Sequence, residues 1–190
     1  MSSFRGPLYS DSTETQIKKA GRINSIVVDN KIIKIPDALQ SPAFELTEKG
    51  IDLGAMVSKQ ALRYLKNTFK KSKIVVVYIP SVISSYEITS EKVSVINVIP
   101  DDIERDMKNS RKQIAIHTNI ELEKQSNLVA NKIKTISESL GLVFLDARTD
   151  LRKASETTVI HGPIDWNHFN KEGYHVLAES IYKHLKEKKL

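Results

Sequence analysis

An α/β layer sandwich built on a mostly parallel sheet is the fold class this sequence predicts, and three observations predict it. Two short continuous runs, Ile74–Ile79 and Leu142–Leu145, are apolar on both faces, as strands covered by helices on each side must be. Helix-period segments precede both runs, and a third closes the chain. Alternating helices and buried strands yield parallel sheets with crossover connections.

The elements follow in order. Met1 to Arg22 is rich in Gly, Pro, Ser and Thr with no sustained period, so it reads as irregular. Ile23 to Pro36 places apolar residues on either side of Asp29-Asn30, a turn-forming pair. That predicts a hairpin of Ile26–Val28 against Ile32–Ile35, ended by Pro36. Asp37 to Leu46 connects it to a helix beginning near Thr47, whose Leu53, Val57, Ala61, Leu65 and Phe69 fall at i+4 steps on one face. The run Ile74–Ile79, closed by Pro80-Ser81, is expected to be a central parallel strand.

An edge strand is predicted at Val93–Ile99, then a helix start at Pro100-Asp101-Asp102, where Pro and acids suit the positive end of the dipole. A helix over about Ile120 to Leu140 turns Val129, Ile133, Ile136 and Leu140 to one side, with Gly141 as its C-terminal cap. The strand Leu142–Leu145 ends at Asp146. The last helix, about Asn170 to Lys186, takes Asn170 as N-cap and Tyr174, Leu177, Ala178, Ile181 and Leu185 as its inward stripe. Two regions result: an irregular segment with a short hairpin over 1–46, and an α/β domain over 47–190.

Composition excludes several classes. The chain has 190 residues, 40% hydrophobic and 27% charged, enough for one buried core and too apolar for disorder. Its longest apolar run is far short of a membrane span, and Met1 to Pro7 lacks the apolar stretch of a secretory leader. There are no cysteines, so thiolate nucleophiles, disulfides and Cys-ligated zinc are excluded; compartment stays open. The formal charge is +6, but the lysines are dispersed or sit at helix ends, where they meet the dipole; solvated surface, not nucleic-acid binding, is the expectation.

Chemistry concentrates in Asp165-Trp166-Asn167-His168-Phe169-Asn170-Lys171-Glu172-Gly173-Tyr174. A carboxylate and an imidazole three residues apart, in a loop just before a helix, can fold onto each other. The carboxylate then fixes the tautomer, leaving the other ring nitrogen facing outward as a base. Such a base activates a serine hydroxyl, which is inert at its own pKa. A metal site from His161, Asp165 and His168 has no supporting ligand spacing, and no metal or cofactor is expected. His161 reads as a surface loop residue that could line a pocket; His175 and His184 read as solvated, His117 as isolated.

The segment resembles the closing block of SGNH/GDSL hydrolases: Asp-x-x-His, then Asn or Pro, Gly-Tyr and an amphipathic helix. Asp165 and His168 match its two catalytic positions, and Asn170, Gly173 and Tyr174 its helix start. The preceding elements, from about residue 50, resemble the second half of that family's domain. The resemblance implies a flavodoxin-like three-layer fold, a Ser–His–Asp mechanism, and an acyl ester of a small molecule or glycan as substrate. A close variant is an O-acetyltransferase; the alternative from another class is a non-catalytic α/β binding module.

The family's Gly-Asp-Ser and Gly-x-Asn-Asp blocks have no match here. Ser10-Asp11-Ser12 echoes the first in letters only, since no buried strand precedes it, and Ser12 reads as a turn or cap residue. Asn24 and Asn30 read as turn residues. The expectation is that the first strands, with serine and oxyanion hole, lie upstream of Met1, so the chain supplies the Asp–His half of the triad and shows little or no turnover alone. An exposed sheet edge then predicts self-association.

Overall fold

A computed structural model describes residues 23–37, 39–44, 46–98 and 112–189. The predicted irregular segment Met1–Arg22, with Ser12, and the helix start at Pro100-Asp101-Asp102 lie outside them. Within them the chain is a mixed α/β structure of helices and three two-stranded sheets, one parallel and two antiparallel.

Strands β1 (Ser25–Val28) and β2 (Lys31–Lys34) form the expected hairpin. Asp29 and Asn30 take φ of 52° and 56°, the left-handed pair that a two-residue hairpin turn requires and that Asp and Asn tolerate. Asn24 is no turn residue: it is completely buried. Its amide donates to the carbonyls of Pro36 (3.0 Å) and Ser94 (2.9 Å), and its oxygen accepts the Ser94 N–H at 2.7 Å.

Helix α1 (Glu48–Thr68) starts where expected, with the Thr47 hydroxyl accepting the Gly50 N–H at 3.1 Å. Its apolar row faces outward. Leu53, Val57, Leu65 and Phe69 are between 40% and 62% exposed, and Ala61 is exposed too. Ile51, with half-buried Ala55 and Leu62, faces inward instead. The reason is the neighbour: α1 packs against α2 (Asn119–Ser139), tied to it by Lys132–Asp52 and by Lys66 donating to the Leu140 carbonyl, both at 2.5 Å.

The run after Lys73 gives β3 (Val75–Tyr78), which pairs in parallel with β6 (Val143–Asp146) from Val75↔Val143 to Tyr78↔Asp146. Among the described residues β3 has this one neighbour and is half-buried, so it is not the doubly covered central strand the run suggested. A 3₁₀ turn, Val82–Ser85, follows it. The expected edge strand is β4 (Lys92–Val98), but it pairs antiparallel with an unanticipated β5 (Lys112–Thr118).

Helix α2 carries a Thr118/Glu121 capping box and ends at Gly141, whose φ is +65°. Its buried face is Leu122, Ser126, Ala130, Ile136 and Ser137, sharing only Ile136 with the expected apolar row. Helix α3 (Arg148–Ser155) was not anticipated; α4 (Lys171–Glu187) was, with Asn170 as its cap. The α4 contact face is rotated from the predicted one, because Gly173 and Ser180 are its buried residues, while Tyr174 is 55% exposed. The main core gathers Ile26, Ile35, Tyr86, Leu145, Leu151 and Ile160, with Leu177 and Ile181 of α4 packed on it.

Candidate active site

The loop between α3 and α4 is cinched at its base. His161 bridges Phe169, and the Asn170 N–H donates to the Ile160 carbonyl at 3.0 Å. The Asn170 side chain caps α4 by accepting the Gly173 N–H (3.0 Å) and donates to the carbonyls of Val159 (2.6 Å) and His161 (3.3 Å). Gly173 has to be glycine, since a Cβ there would be driven into the Ile160 carbonyl oxygen and the Phe169 ring. Gly162 has φ +66° and lies under Trp166, where a Cβ would come within 2.8 Å of the indole. Trp166 and Phe169 both pack on the core.

With the two aromatic side chains turned inward, Asp165, Asn167 and His168 are left on the outside. His168 Nδ1 and Asp165 Oδ2 are 2.6 Å apart, so sequence reasoning placed this pair correctly. Asp165 Oδ1 accepts the Asn167 N–H at 2.9 Å. That backbone bond, and then the His168 bond, hold the Asp165 carboxyl below the usual carboxylate range. The His168 side chain is 70% exposed. With its Nδ1 committed to the carboxylate, Nε2 is the nitrogen available as a base. Asn167 also accepts the Gln40 N–H at 3.3 Å, linking the loop to the segment before α1.

His161 is not the surface residue the sequence suggested. It is 2% exposed, with Nδ1 at 3.0 Å from the Tyr86 hydroxyl and its ring 4.5 Å from that of Phe169. The Tyr86 hydroxyl accepts the Ile160 N–H at 2.9 Å, so its own proton is free to go to His161 Nδ1; the neutral imidazole then carries its hydrogen on Nε2. Burial lowers the His161 pKa to about 4 and raises that of Tyr86 to about 12. The sequence carried no signal for this clasp, because the partners are far apart in the chain.

The other histidines differ from expectation in part. His175 is exposed and pairs with Glu179 at 3.3 Å. His184 is half-buried, and His117 stacks on Phe44 at 3.8 Å. Among the described residues no group of three or more His, Asp and Glu side chains could hold a metal, so His161, Asp165 and His168 do not form such a site.

A polar network, also missed, sits at the carboxyl ends of β3 and β6. Arg148 grips Asp146 through Nε (2.9 and 3.0 Å) and Nη2 (2.6 Å), reaches Asn127 at 2.7 Å and lies 5.4 Å from the centre of the Tyr78 ring. Arg152 donates to the Ser84 carbonyl at 2.8 Å and to Glu123 at 2.6 Å, a bond that lowers the Glu123 pKa. Beside it opens a cleft of about 490 Å³ lined by Ser84, Tyr86, Glu87, Glu123, Arg152 and Glu156 among others; neither Asp165 nor His168 lines it.

None of the described helices is long and apolar enough to cross a membrane. No protein-family model matches the chain, and no curated protein or solved structure does either.

Proposed function

We propose that the chain carries the acid–base half of a serine-dependent acyl-ester hydrolase of the SGNH/GDSL kind, on a flavodoxin-like three-layer α/β domain. One observation carries the reading: Asp165 and His168 are joined at 2.6 Å on an outward-facing loop whose aromatic side chains pack, partly buried, on the core. The parallel β3–β6 pair and the α4 start at Asn170 support it, as both belong to the same half of that architecture.

In this reading His168 Nε2 takes the proton of a serine hydroxyl as the oxygen attacks an ester carbonyl, and returns it to the leaving alcohol. Asp165 holds the ring and stabilises the imidazolium between those steps. The serine and the oxyanion donors come from a further segment of polypeptide, and the substrate is an acyl ester of a small molecule or a glycan. Passing the acyl group to a sugar hydroxyl rather than water would make the same machinery an O-acetyltransferase.

The test is hydrolysis of an activated acyl ester by the chain, beside His168→Ala. The expected result is weak turnover that disappears in the variant. Turnover that persists undiminished in His168→Ala overturns the mechanism. A second reading, a non-catalytic α/β binding module, is favoured by the position of the dyad outside the 490 Å³ cleft. It is expected to show no dependence on His168 at all.

A further inference from the structure

Helix α1 shows solvent a face with the makings of an interface. Leu53, Val57, Tyr64, Leu65 and Phe69 are 62%, 62%, 71%, 40% and 52% exposed. Together they present on the order of 500 Å² of apolar surface, at the upper end of what monomers leave uncovered. At 100° per residue, the half of the helix centred on Val57 also holds Gly50, Gly54, Gln60, Ala61, Asn67 and Thr68, and Lys49, in the first turn, is the one charged residue on it; Phe69, the C-cap residue, flanks it. The cations Lys59, Arg63 and Lys66 lie on another side.

The spacing has an internal symmetry. Leu53, Val57, Ala61, Leu65 and Phe69 form one i+4 ridge, with large residues at its ends and a small, exposed one at its midpoint. A small residue at the crossing point lets the axes approach, while longer side chains fill the widening gap on either side. We propose that a second copy of this chain covers the face, ridge against ridge, about a two-fold axis at Ala61. Leu53 then meets Phe69 of the partner subunit, Val57 meets Leu65 of the partner subunit, and Ala61 meets its own counterpart.

Three features select a second copy over another occupant. The ridge is graded in size about Ala61, with an apolar residue at each matching step on either side, so its two halves can meet across a two-fold axis. Between Gly50 and Thr68 the face carries no charge, and Lys49 lies twelve positions from Ala61, so the middle of the face meets itself without like charges. A pair buries on the order of 1,000 Å² from this face alone, the size at which specific association begins. The edge of β3 that is unpaired among the described residues, the other candidate for self-association, offers only four residues. This inference is independent of the hydrolase reading.

The experiment is sedimentation equilibrium of the full chain and two charge variants at the symmetry point, Ala61→Glu and Ala61→Lys. Ala61 is exposed, so both are expected to keep the fold, checked by circular dichroism. The wild type is expected to be dimeric, each variant alone to dissociate about tenfold or more readily, and an equimolar mixture of the two to dimerise again. A wild type that stays monomeric at every concentration overturns the proposal and leaves the face to a different polypeptide. A dimer indifferent to both substitutions overturns it in favour of another surface, such as the β3 edge. Variants that remain monomeric when mixed also overturn it. Should either variant misfold, Val57→Glu at the neighbouring exposed position serves in its place, with loss of the dimer expected.

Discussion

The hydroxyl of Tyr86 lies 3.0 Å from Nδ1 of His161, and the same oxygen accepts the Ile160 N–H at 2.9 Å. One phenol thus satisfies two polar groups at the base of the loop that carries Asp165 and His168.

Replacing Tyr86 with Phe removes both bonds while preserving most of the packing. It leaves a buried N–H and a buried ring nitrogen without partners, which typically costs about 1–3 kcal/mol for each such group. Chemical denaturation of Tyr86→Phe is expected to show a lower midpoint with an unchanged slope. A midpoint equal to that of the wild type would show that the clasp contributes nothing.

The same pair makes stability depend on pH at both ends. His161 has a folded pKa of about 4 against an ordinary value of 6.5. Between these the unfolded chain binds a proton that the folded chain does not. Stability is therefore complete above pH 6.5 and is lost as pH falls toward 4, by on the order of 3 kcal/mol. Tyr86 acts in the opposite direction: its pKa rises from 10.0 to about 12, so stability falls as pH climbs through that interval. Unfolding free energies of the wild type and His161→Phe, compared from pH 7 to pH 4.5, isolate the histidine contribution. Parallel curves would refute it.

Asp165→Asn tests the dyad without disturbing the loop backbone. The amide no longer anchors Nδ1–H, so the tautomer preference of His168 is expected to shift, as read from imidazole ¹⁵N chemical shifts. In an assembled triad the corresponding change costs about 10⁴ in kcat. Unchanged ring shifts in Asp165→Asn would mean that the 2.6 Å contact does not orient the imidazole.

Gly173→Ala is expected to be among the most damaging single substitutions. The new methyl has no space between the Ile160 carbonyl and Phe169, so α4 must move off the base of the loop. A loss of about 2 kcal/mol or more is anticipated from thermal unfolding. Asn170→Ala, which removes the α4 cap and two bonds across the loop, is expected to cost about 1–2 kcal/mol.

What the sequence disclosed was local. Asp29-Asn30 announced the hairpin, Thr47 and Asn170 announced helix starts, and Asp165 with His168 announced a side-chain pair only three residues apart. What it concealed depended on distant neighbours. The periodicity of α1 located an apolar ridge but not the side on which α2 would lie. His161 drew its burial from Tyr86 and Phe169, and Asn24 drew its burial from Ser94, seventy positions away. Strand β5 has the alternation of an ordinary strand, but its pairing with β4 is set by a connection that periodicity does not describe. Asp146 and Arg148, two residues apart, are a local pair that the sequence reading missed, and the network that Ser126, Asn127 and Tyr78 complete lay beyond its reach.

Asn24 gives and takes a hydrogen bond with the main chain of Ser94, as a residue on an adjoining strand would. A side-chain carboxamide thereby substitutes for a peptide group, and splices the N-terminal hairpin onto the β4–β5 ribbon with no continuous ladder between them. The two ribbons should consequently open as one cooperative unit. The amide of Ser94 would then exchange with solvent only when the hairpin and the ribbon part, and shortening Asn24 to Ala would loosen that junction, leaving the backbone bonds of Ser25 and Val27 to Thr89 and Glu87.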